Sequence, residues 1–571
     1  MIGQGTRSCT HGNRCRLPLA LATLAVAVPE ALGAPQAAVD PSPALWGDQG
    51  NGSYRNPILW MDYNNPCVFQ SGDTYYLTAA THHYMGMPLL KSKDLVNWSH
   101  AGSIYQDLRS LSHDFDFPGK AYAAGSQDAE IAWHRGNFYF FNWSTRYRGF
   151  MSSAPTPEGP WSPIRKIHDT IGGDYEDPCP FWDDDGKGYL LLVGNPGPLT
   201  IHPLNASFDA IEGKGITLIS DIPPKGPQML KRGGFYHILV ARTGPHKAQY
   251  AYRSRSLFGP YEGRLIFEGK QQGMQAAQGS LVPVKGDDWA FVHHEYDMGS
   301  VYGRRVYLQP AGWKDDWPWI GVDPDGNGVG QPVGLVEPFP KPRLPAQNPS
   351  VPELSDEFEN GNIADQWMWN HHPDLRQVSL RTRPGWLRLT ARPLNTAGGF
   401  SQYPRQEVKF YEDHLLFAYN TLVQRTCGST STSTTCLDTS GMQDGERAGL
   451  CTLSGDYTWI GIRRDKGKRI LSFAKGDASH GPGSAETGPE VVQPLVWLRL
   501  SYHHAQGSFS YSFDGVSFKP LGPAASSYRS TWYEGTKLGI FNYSRSDASG
   551  GGFVDFDFLR HHPDGPPTVR P

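Results

Sequence analysis

Cysteine, unbalanced charge and long apolar runs are all scarce in this sequence of 571 residues. The chain has 7 cysteines, and Cys9 and Cys15 sit in its first stretch. The other five, Cys67, Cys179, Cys427, Cys436 and Cys451, are an odd set. That excludes a fully paired disulfide framework of the kind that holds small extracellular domains together. Cys427 and Cys436 form the easiest local pair. Lys and Arg total 52 against 56 Asp and Glu, a formal net charge of -4. No basic field is available for nucleic acid or an anionic membrane surface. The apolar run Leu17 to Val28 falls short of the roughly 20 residues that span a bilayer, and no later stretch is longer. It follows Arg7, Arg14 and Arg16 and precedes the small residues Ala31-Leu32-Gly33-Ala34. Residues 1–33 therefore read as a secretory signal, which predicts a secreted, extracellular protein. Tripeptides beginning at Asn51, Asn97, Asn142, Asn205 and Asn542 fit the N-glycosylation pattern and suggest a glycoprotein.

A helical period is also missing, and what replaces it is repetition. A glycine turn followed by an aromatic, alternating strand recurs as Gly72-Asp73-Thr74-Tyr75-Tyr76-Leu77, Gly136-Asn137-Phe138-Tyr139-Phe140, Gly186-Lys187-Gly188-Tyr189-Leu190-Leu191, Gly233-Gly234-Phe235-Tyr236-His237-Ile238 and Gly286-Asp287-Asp288-Trp289-Ala290-Phe291. Three repeats continue into Ser92-Lys93-Asp94-Leu95-Val96-Asn97-Trp98, Ala154-Pro155-Thr156-Pro157-Glu158-Gly159-Pro160-Trp161 and Ser254-Arg255-Ser256-Leu257-Phe258-Gly259-Pro260-Tyr261. Period-2 strands in five such units predict an all-β protein with a five-bladed β-propeller over residues 34–338. A propeller binds ligands at the mouth of its central channel, with residues from the innermost strand of each blade.

Residues 339–352 are rich in proline and read as a semi-rigid linker. From Leu354-Ser355-Asp356-Glu357-Phe358 onward the chain is again β-rich, closing on Val554-Asp555-Phe556-Asp557-Phe558. Residues 353–571 are expected to form a β-sandwich of jelly-roll type with its first and last strands paired.

The run Tyr175-Glu176-Asp177-Pro178-Cys179-Pro180-Phe181-Trp182 resembles the central signature of glycoside hydrolase family 43. So do Asn56-Pro57-Ile58-Leu59, Lys91-Ser92-Lys93-Asp94-Leu95-Val96-Asn97-Trp98, Tyr302-Gly303-Arg304-Arg305-Val306-Tyr307-Leu308-Gln309-Pro310 and Asp316-Trp317-Pro318-Trp319-Ile320-Gly321. In the second region Arg383-Pro384-Gly385-Trp386-Leu387-Arg388-Leu389 and Asp444-Gly445-Glu446-Arg447-Ala448-Gly449-Leu450 resemble the concanavalin-like C-terminal domain of the β-xylosidase and arabinofuranosidase type. The resemblance implies a glycosidase that inverts configuration, with a base Asp, an acid Glu and a second Asp that tunes the acid. Its default substrate is a pentose-containing plant cell-wall polysaccharide.

Only the tuning Asp matches, at Asp177. The base position holds Asn65, and a neutral amide cannot accept a proton near neutral pH. The acid position holds Lys225, before Gly226-Pro227. Asp62, three residues before Asn65, also matches a family position. New carboxylates stand in Gln127-Asp128-Ala129-Glu130-Ile131. The family's His-Gln-Gly segment reads Ala277-Gln278-Gly279, which takes away the residue linked to a central calcium.

Three chemistries stay open. A hydrolase with a relocated acid and base would draw on Glu130, Asp128 and Glu176, with Gln278 holding a water. An enzyme acting on uronic-acid-containing glycans, as a lyase, would use Lys225 with His82, His83, Arg146, Arg148, Arg242 and His246 around the carboxylate. A silent, lectin-like propeller would keep the pocket alone. The plain reading of each isolated basic residue is rim decoration. No cofactor is required. Calcium in a structural role has two sequence candidates, the loop Asp323-Pro324-Asp325-Gly326-Asn327-Gly328 and the pair Asp356 and Asp557. The expected partner is carbohydrate, with no nucleic acid and no membrane, for a monomer or simple homo-oligomer.

Overall fold

The computed structural model describes residues 47–563 apart from 82–84, 113–114, 116–127, 145–147, 170, 243–246, 270–273, 275, 296–301, 395–399, 403–405, 409–410, 429, 478–480, 504–505 and 525–533. The N-terminal stretch read as a signal, His82, His83, Arg146 and His246 lie outside the described residues.

Five four-stranded antiparallel sheets follow one another along the first half, as a five-bladed propeller requires. Their innermost strands are Cys67–Ser71, Ala129–His134, Tyr175–Trp182, Pro224–Arg232 and Ala276–Lys285, in blades 1 to 5. The repeated glycine marks the first hairpin of each blade. Gly72, Gly136, Gly186, Gly233 and Gly286 have φ of 61, 90, 80, 62 and 63°, a region an L side chain enters only at a cost. The second signature closes the outer turn. Trp98 Nε1 donates to the Leu95 carbonyl at 3.1 Å, Trp161 Nε1 to Pro157 at 3.0 Å, and Tyr261 hydroxyl to Leu257 at 2.9 Å. Each ring thereby buries apolar area and satisfies its polar end.

Asn56 closes the ring of blades. Its amide exchanges two 2.8 Å bonds with the Leu308 backbone in blade 5 and donates to the Val333 carbonyl at 2.9 Å. The proline-rich stretch is not a free spacer. Phe339–Pro340 pairs with Ser53–Tyr54, Arg343 grips Asp288 at 2.8 and 3.1 Å, and Gln347 accepts from the Lys93 backbone at 2.7 Å. Proline at a sheet edge needs no donor, so the segment packs as an edge strand along the propeller.

The second half is two seven-stranded antiparallel sheets face to face. One sheet presents Leu450, Ile460, Leu538 and Ile540 to Leu389, Leu437, Leu498 and Phe556 of the other, all at 0% exposure. Truncating any of them to alanine removes about 2–5 kcal/mol. The first segment meets the last strand through Asp356 and Leu559, which exchange two 2.8 Å backbone bonds.

Several local expectations are corrected. Cys427 and Cys436 are not bonded; all five described cysteines are free and buried. Cys436 sits within the strand Thr430–Asp438. The extended chain between Thr430 and Cys436 covers about 20 Å at roughly 3.3 Å per residue, well beyond disulfide reach. Of the five sequons, Asn97, Asn142 and Asn542 are 2%, 0% and 4% exposed. Their amides donate to Asp48 and Asp94, to the Asp128 carbonyl and to the Leu389 carbonyl, so no glycan fits there. The Asp323 loop is a turn, its carboxylate accepting from the N–H groups of Asn327 and Gly328. Asp356 spends its two oxygens on Phe358 N–H and Trp367 Nε1. No metal-holding group of three His, Cys, Asp or Glu occurs among the described residues.

The propeller and the sandwich share a buried junction centred on Asp62. Its Oδ2 accepts from Lys537 Nζ at 2.7 Å and Gly535 N–H at 2.8 Å, and its Oδ1 from Arg304 N–H at 3.0 Å. Its carbonyl accepts from Arg425 Nε at 2.7 Å, and that guanidinium lies 4.3 Å from the centre of the Tyr63 ring. Removing one partner of such a pair strands a buried charge. Lys537→Met should therefore cost about 3–5 kcal/mol in denaturant unfolding. Lys537 also lies 3.9 Å from the buried Glu534 carboxylate, so the double variant Asp62→Asn/Lys537→Met should recover only part of that loss.

Candidate active site

Two of the five innermost strands, and the residue pair just before a third, carry a left-handed residue followed by proline. Asn65 has φ 48°, Asp177 52° and Gly226 50°, each followed by proline. Asn, Asp and Gly tolerate the left-handed region best, and the proline removes a ladder donor. The register accordingly shifts between Glu176 and Cys179 and between Lys225 and Gln228. A third shift, between Ala277 and Gly279, frees Gln278 in blade 5. Such bulges re-aim side chains. Here Asn65, Asp128, Glu130, Asp177 and Gln278 line one small cavity.

Asp177 is 2% exposed. Its Oδ2 accepts from Gly226 N–H at 2.7 Å and from Gln278 Nε2 at 3.4 Å. Its carboxyl is pushed well above the usual carboxylate range, by burial first and then by the charge of Asp128 and the hydrogen bond to it. Gly226 N–H and Arg304 pull the other way. Asp177 therefore keeps its proton beside the Asp128 carboxylate.

Glu130, two residues along the same strand, points the same way as Asp128. Burial raises its carboxyl to about 8, moderated by the Cys67 thiol and pushed further by Asp128. Cys67 Sγ donates to Glu130 Oε2 at 3.1 Å. Glu130 is thus a neutral acid at neutral pH.

Glu176 and Lys225 stand beside the cavity on adjacent blades and form an ion pair. Lys225 is where the resemblance puts the acid, and burial lowers it to about 8; Asp128 opposes that shift and Arg304 adds to it. Asn65 is held rather than free to act. Its Oδ1 accepts from Arg304 Nη1 at 2.7 Å and its N–H donates to His294 Nδ1 at 3.0 Å. The imidazole is kept neutral, its pKa depressed by burial and then by Arg304.

Asp62 is not a pocket residue. It faces the sandwich, and its role is to anchor the backbone of Arg304. Arg242 ends the second strand of blade 4 and bonds the Tyr250 hydroxyl at 3.2 Å, on the same hairpin as Lys225. Arg148 is spent on Asp169 and the carbonyls of Gly173 and Ile171. His82, His83, Arg146 and His246 are outside the described residues. Sequence reasoning overlooked Arg304, whose signal was the Gly303-Arg304-Arg305 run, and Lys247, which had none. Lys247 is lowered to about 8, by burial and then by Arg304 and Lys225. The position that the resemblance ties to a central calcium is Ala277, an aliphatic residue that offers no side-chain ligand.

Residues 54–318 match the family model for Glycosyl hydrolases family 43, and residues 355–562 match that for the Beta xylosidase C-terminal Concanavalin A-like domain. A Beta-xylosidase of Formosa agariphila is 30% identical over 566 residues, covering 92% of this chain and 93% of the relative. A Putative beta-xylosidase of Xylanibacter ruminicola is 31% identical and covers 86% of this chain and 87% of its own length. A non-reducing end alpha-L-arabinofuranosidase of Bacteroides ovatus is 30% identical over 371 residues, or 60% of this chain and 66% of that one. The crystal structure of a GH43 protein from Bacillus licheniformis superposes with a TM-score of 0.74 at 25% identity, over 89% of this chain and 99% of that one. With its propeller, its concanavalin-like sandwich and its Asp177-Pro178 bulge, the chain belongs to glycosyl hydrolase family 43.

Proposed function

We propose that the protein hydrolyses glycosidic bonds in xylan- or arabinan-type side chains or oligosaccharides, with an acid and base moved from the family positions. The substrate class follows the relatives named β-xylosidase and arabinofuranosidase. The observation that carries the hydrolytic reading is the buried Asp128–Asp177 pair at the lip of the cavity. A carboxyl kept protonated near neutral pH is what a general acid requires. Asp177, held protonated beside Asp128, gives its proton to the leaving oxygen as the bond from that oxygen to the anomeric carbon breaks. Glu176, paired with Lys225, takes a proton from the attacking water, whose oxygen bonds the anomeric carbon on the opposite face. Gln278 orients that water. Glu130 stays neutral below about pH 8. We further propose secretion, on the Arg-flanked apolar run Leu17 to Val28.

Lys225 favours a second reading. With its pKa at about 8, a fraction is neutral at mildly alkaline pH and could remove a proton. In β-elimination from a uronate it would take the C5 proton as the C4–O bond breaks, leaving a C4–C5 double bond.

Incubation of the protein with xylan, glucuronoxylan, arabinan and arabinogalactan separates these readings. Hydrolysis gives saturated products by mass spectrometry, and elimination gives unsaturated products that absorb in the ultraviolet. Binding with no product in any arm would leave a silent propeller.

Asp128→Asn and Asp177→Asn should each lower kcat by about 10²–10⁴, the usual range for one acid–base group, and Glu176→Gln should do the same. Full activity in Asp177→Asn would sink the hydrolytic reading. Activity should fall at high pH as Asp177 loses its proton.

Glu130 also sets a stability slope. Folded, it binds its proton more tightly than its usual 4.5 allows, with a value of about 8. Its contribution is intact below the unfolded value and is lost as pH rises to the folded one. Glu130→Gln should therefore change Tm little at pH 4 and raise it by on the order of a few degrees at pH 9.

A further inference from the structure

Several polar atoms on the cavity wall already have partners. Asn65 Oδ1 accepts from Arg304, and Asp177 Oδ2 accepts from Gly226 N–H and Gln278. Two oxygens from blade 2 bond no described residue: Asp128 Oδ1, which is buried, and Glu130 Oε1. A buried oxygen left without a hydrogen bond costs free energy until a partner joins it. Cys67, on the innermost strand of blade 1, fixes how Glu130 carries its proton. The thiol donates to Oε2 at 3.1 Å, and its sulfur accepts in turn from Ile131 N–H at 3.4 Å. The oxygen that accepts from the thiol is the carbonyl oxygen of a protonated carboxyl, so the O–H stands on Oε1. Burial raises this carboxyl to about 8, which keeps the proton in place at neutral pH. The titratable groups that face it are Cys67, Asp128, and Asp177 and Cys179 of blade 3, while Lys225 of blade 4 acts on Asp128. Asp128 and Glu130 flank Ala129, so this wall sets one donor beside one acceptor. The cavity is small, and the group that fits between them is a single hydroxyl.

We propose that Asp128 and Glu130 form a hydroxyl-binding subsite for the sugar that Asp177 serves. Glu130 Oε1 donates to the hydroxyl oxygen, and the hydroxyl gives its own hydrogen bond to Asp128 Oδ1. Cys67 is the positioning residue, because it decides which Glu130 oxygen carries the proton. The proposal rests on the hydrolytic reading of the site and adds the groups that recognise the sugar. A hydroxyl both donates and accepts, whereas an ether oxygen or a C–H group cannot satisfy both partners. An ionised Glu130 would offer no donor at all, so recognition ends when this proton is lost.

The test measures kcat and KM of the full chain on nitrophenyl xylosides and arabinofuranosides in both anomers, and on deoxy forms that each lack one hydroxyl. At neutral pH, Glu130→Leu should raise KM about tenfold on a cleaved glycoside, with kcat changed far less. On the deoxy form that lacks the bound hydroxyl, the same substitution should change KM by less than about twofold. Glu130→Gln should restore most of the affinity, because the thiol holds the amide oxygen and leaves the N–H group to the cavity. KM of the parent protein should rise above about pH 8 as Glu130 ionises, and Glu130→Gln should show no such rise. In Cys67→Ala the rise should move to higher pH, because the thiol bond favours the ionised form. A Glu130→Leu penalty equal on every deoxy form, or one confined to kcat, would overturn the proposal while hydrolysis stood. If Glu130→Leu does not fold, the KM profiles of the other proteins decide. A rise absent from the parent, or unmoved in Cys67→Ala, overturns the subsite. If no glycoside is cleaved but a xylo- or arabino-oligosaccharide binds by calorimetry and loses affinity in Glu130→Leu, the hydrolytic reading falls and the subsite stands. No cleavage and no such binding would overturn both.

Discussion

A steric constraint on the backbone governs this molecule's chemistry: a left-handed residue immediately before a proline, set into the innermost strand of a blade. Asp177-Pro178 and Gly226-Pro227 each stop the ladder for one step and rotate the chain, and Asn65-Pro66 takes the same turn just before the innermost strand of blade 1. A regular strand would send alternate side chains into the neighbouring blades. The bulge instead aims a polar side chain, or an open N–H in the case of Gly226, at the channel axis. Gly226 N–H then binds Asp177 at 2.7 Å, so one blade's bulge holds the next blade's carboxylate.

What those side chains become depends on the low dielectric of the place they are put. The same burial pushes Asp177 and Glu130 toward the protonated form and Lys225 and Lys247 toward the neutral form. Partners decide the remainder. Glu176 has a cation, Asp177 has a second carboxyl, and Glu130 has a thiol. Asp177 and Glu130 thereby keep their protons while Glu176 is paired with a cation, which is the division an acid–base pair needs. The sandwich takes part at a distance. Lys537 and Gly535 hold Asp62, Asp62 holds the Arg304 backbone, and Arg304 holds Asn65.

Much of the architecture was legible in one dimension, because it repeats. The turn glycines, the alternating strands and the aromatic that closes each outer turn recur blade after blade, and each was readable from residues a few positions apart. Contacts that join distant segments were not. Proline-rich composition suggested a spacer, but Phe339–Pro340 found an edge strand at Ser53–Tyr54. Sequence proximity suggested Cys427 with Cys436, but an extended strand intervenes. Three sequons became buried hydrogen-bond donors. Asp62 matched a family position near the pocket and turned out to serve the domain junction.

The sequence by itself determined the fold class, the number of blades, the second sandwich and which residue types stand at the channel mouth. These follow from local conformational preference and short-period burial patterns, which need no knowledge of the far end of the chain. It also showed that a base and an acid had left their family positions. Only the tertiary structure decided what took their place. Protonation depends on burial and on the charges within a few ångströms, and those neighbours came from four different blades and the sandwich. Asp128, Glu130 and Glu176 were acid and base candidates in the sequence, but their surroundings came only with Asp177, Cys67 and the blades closed around them.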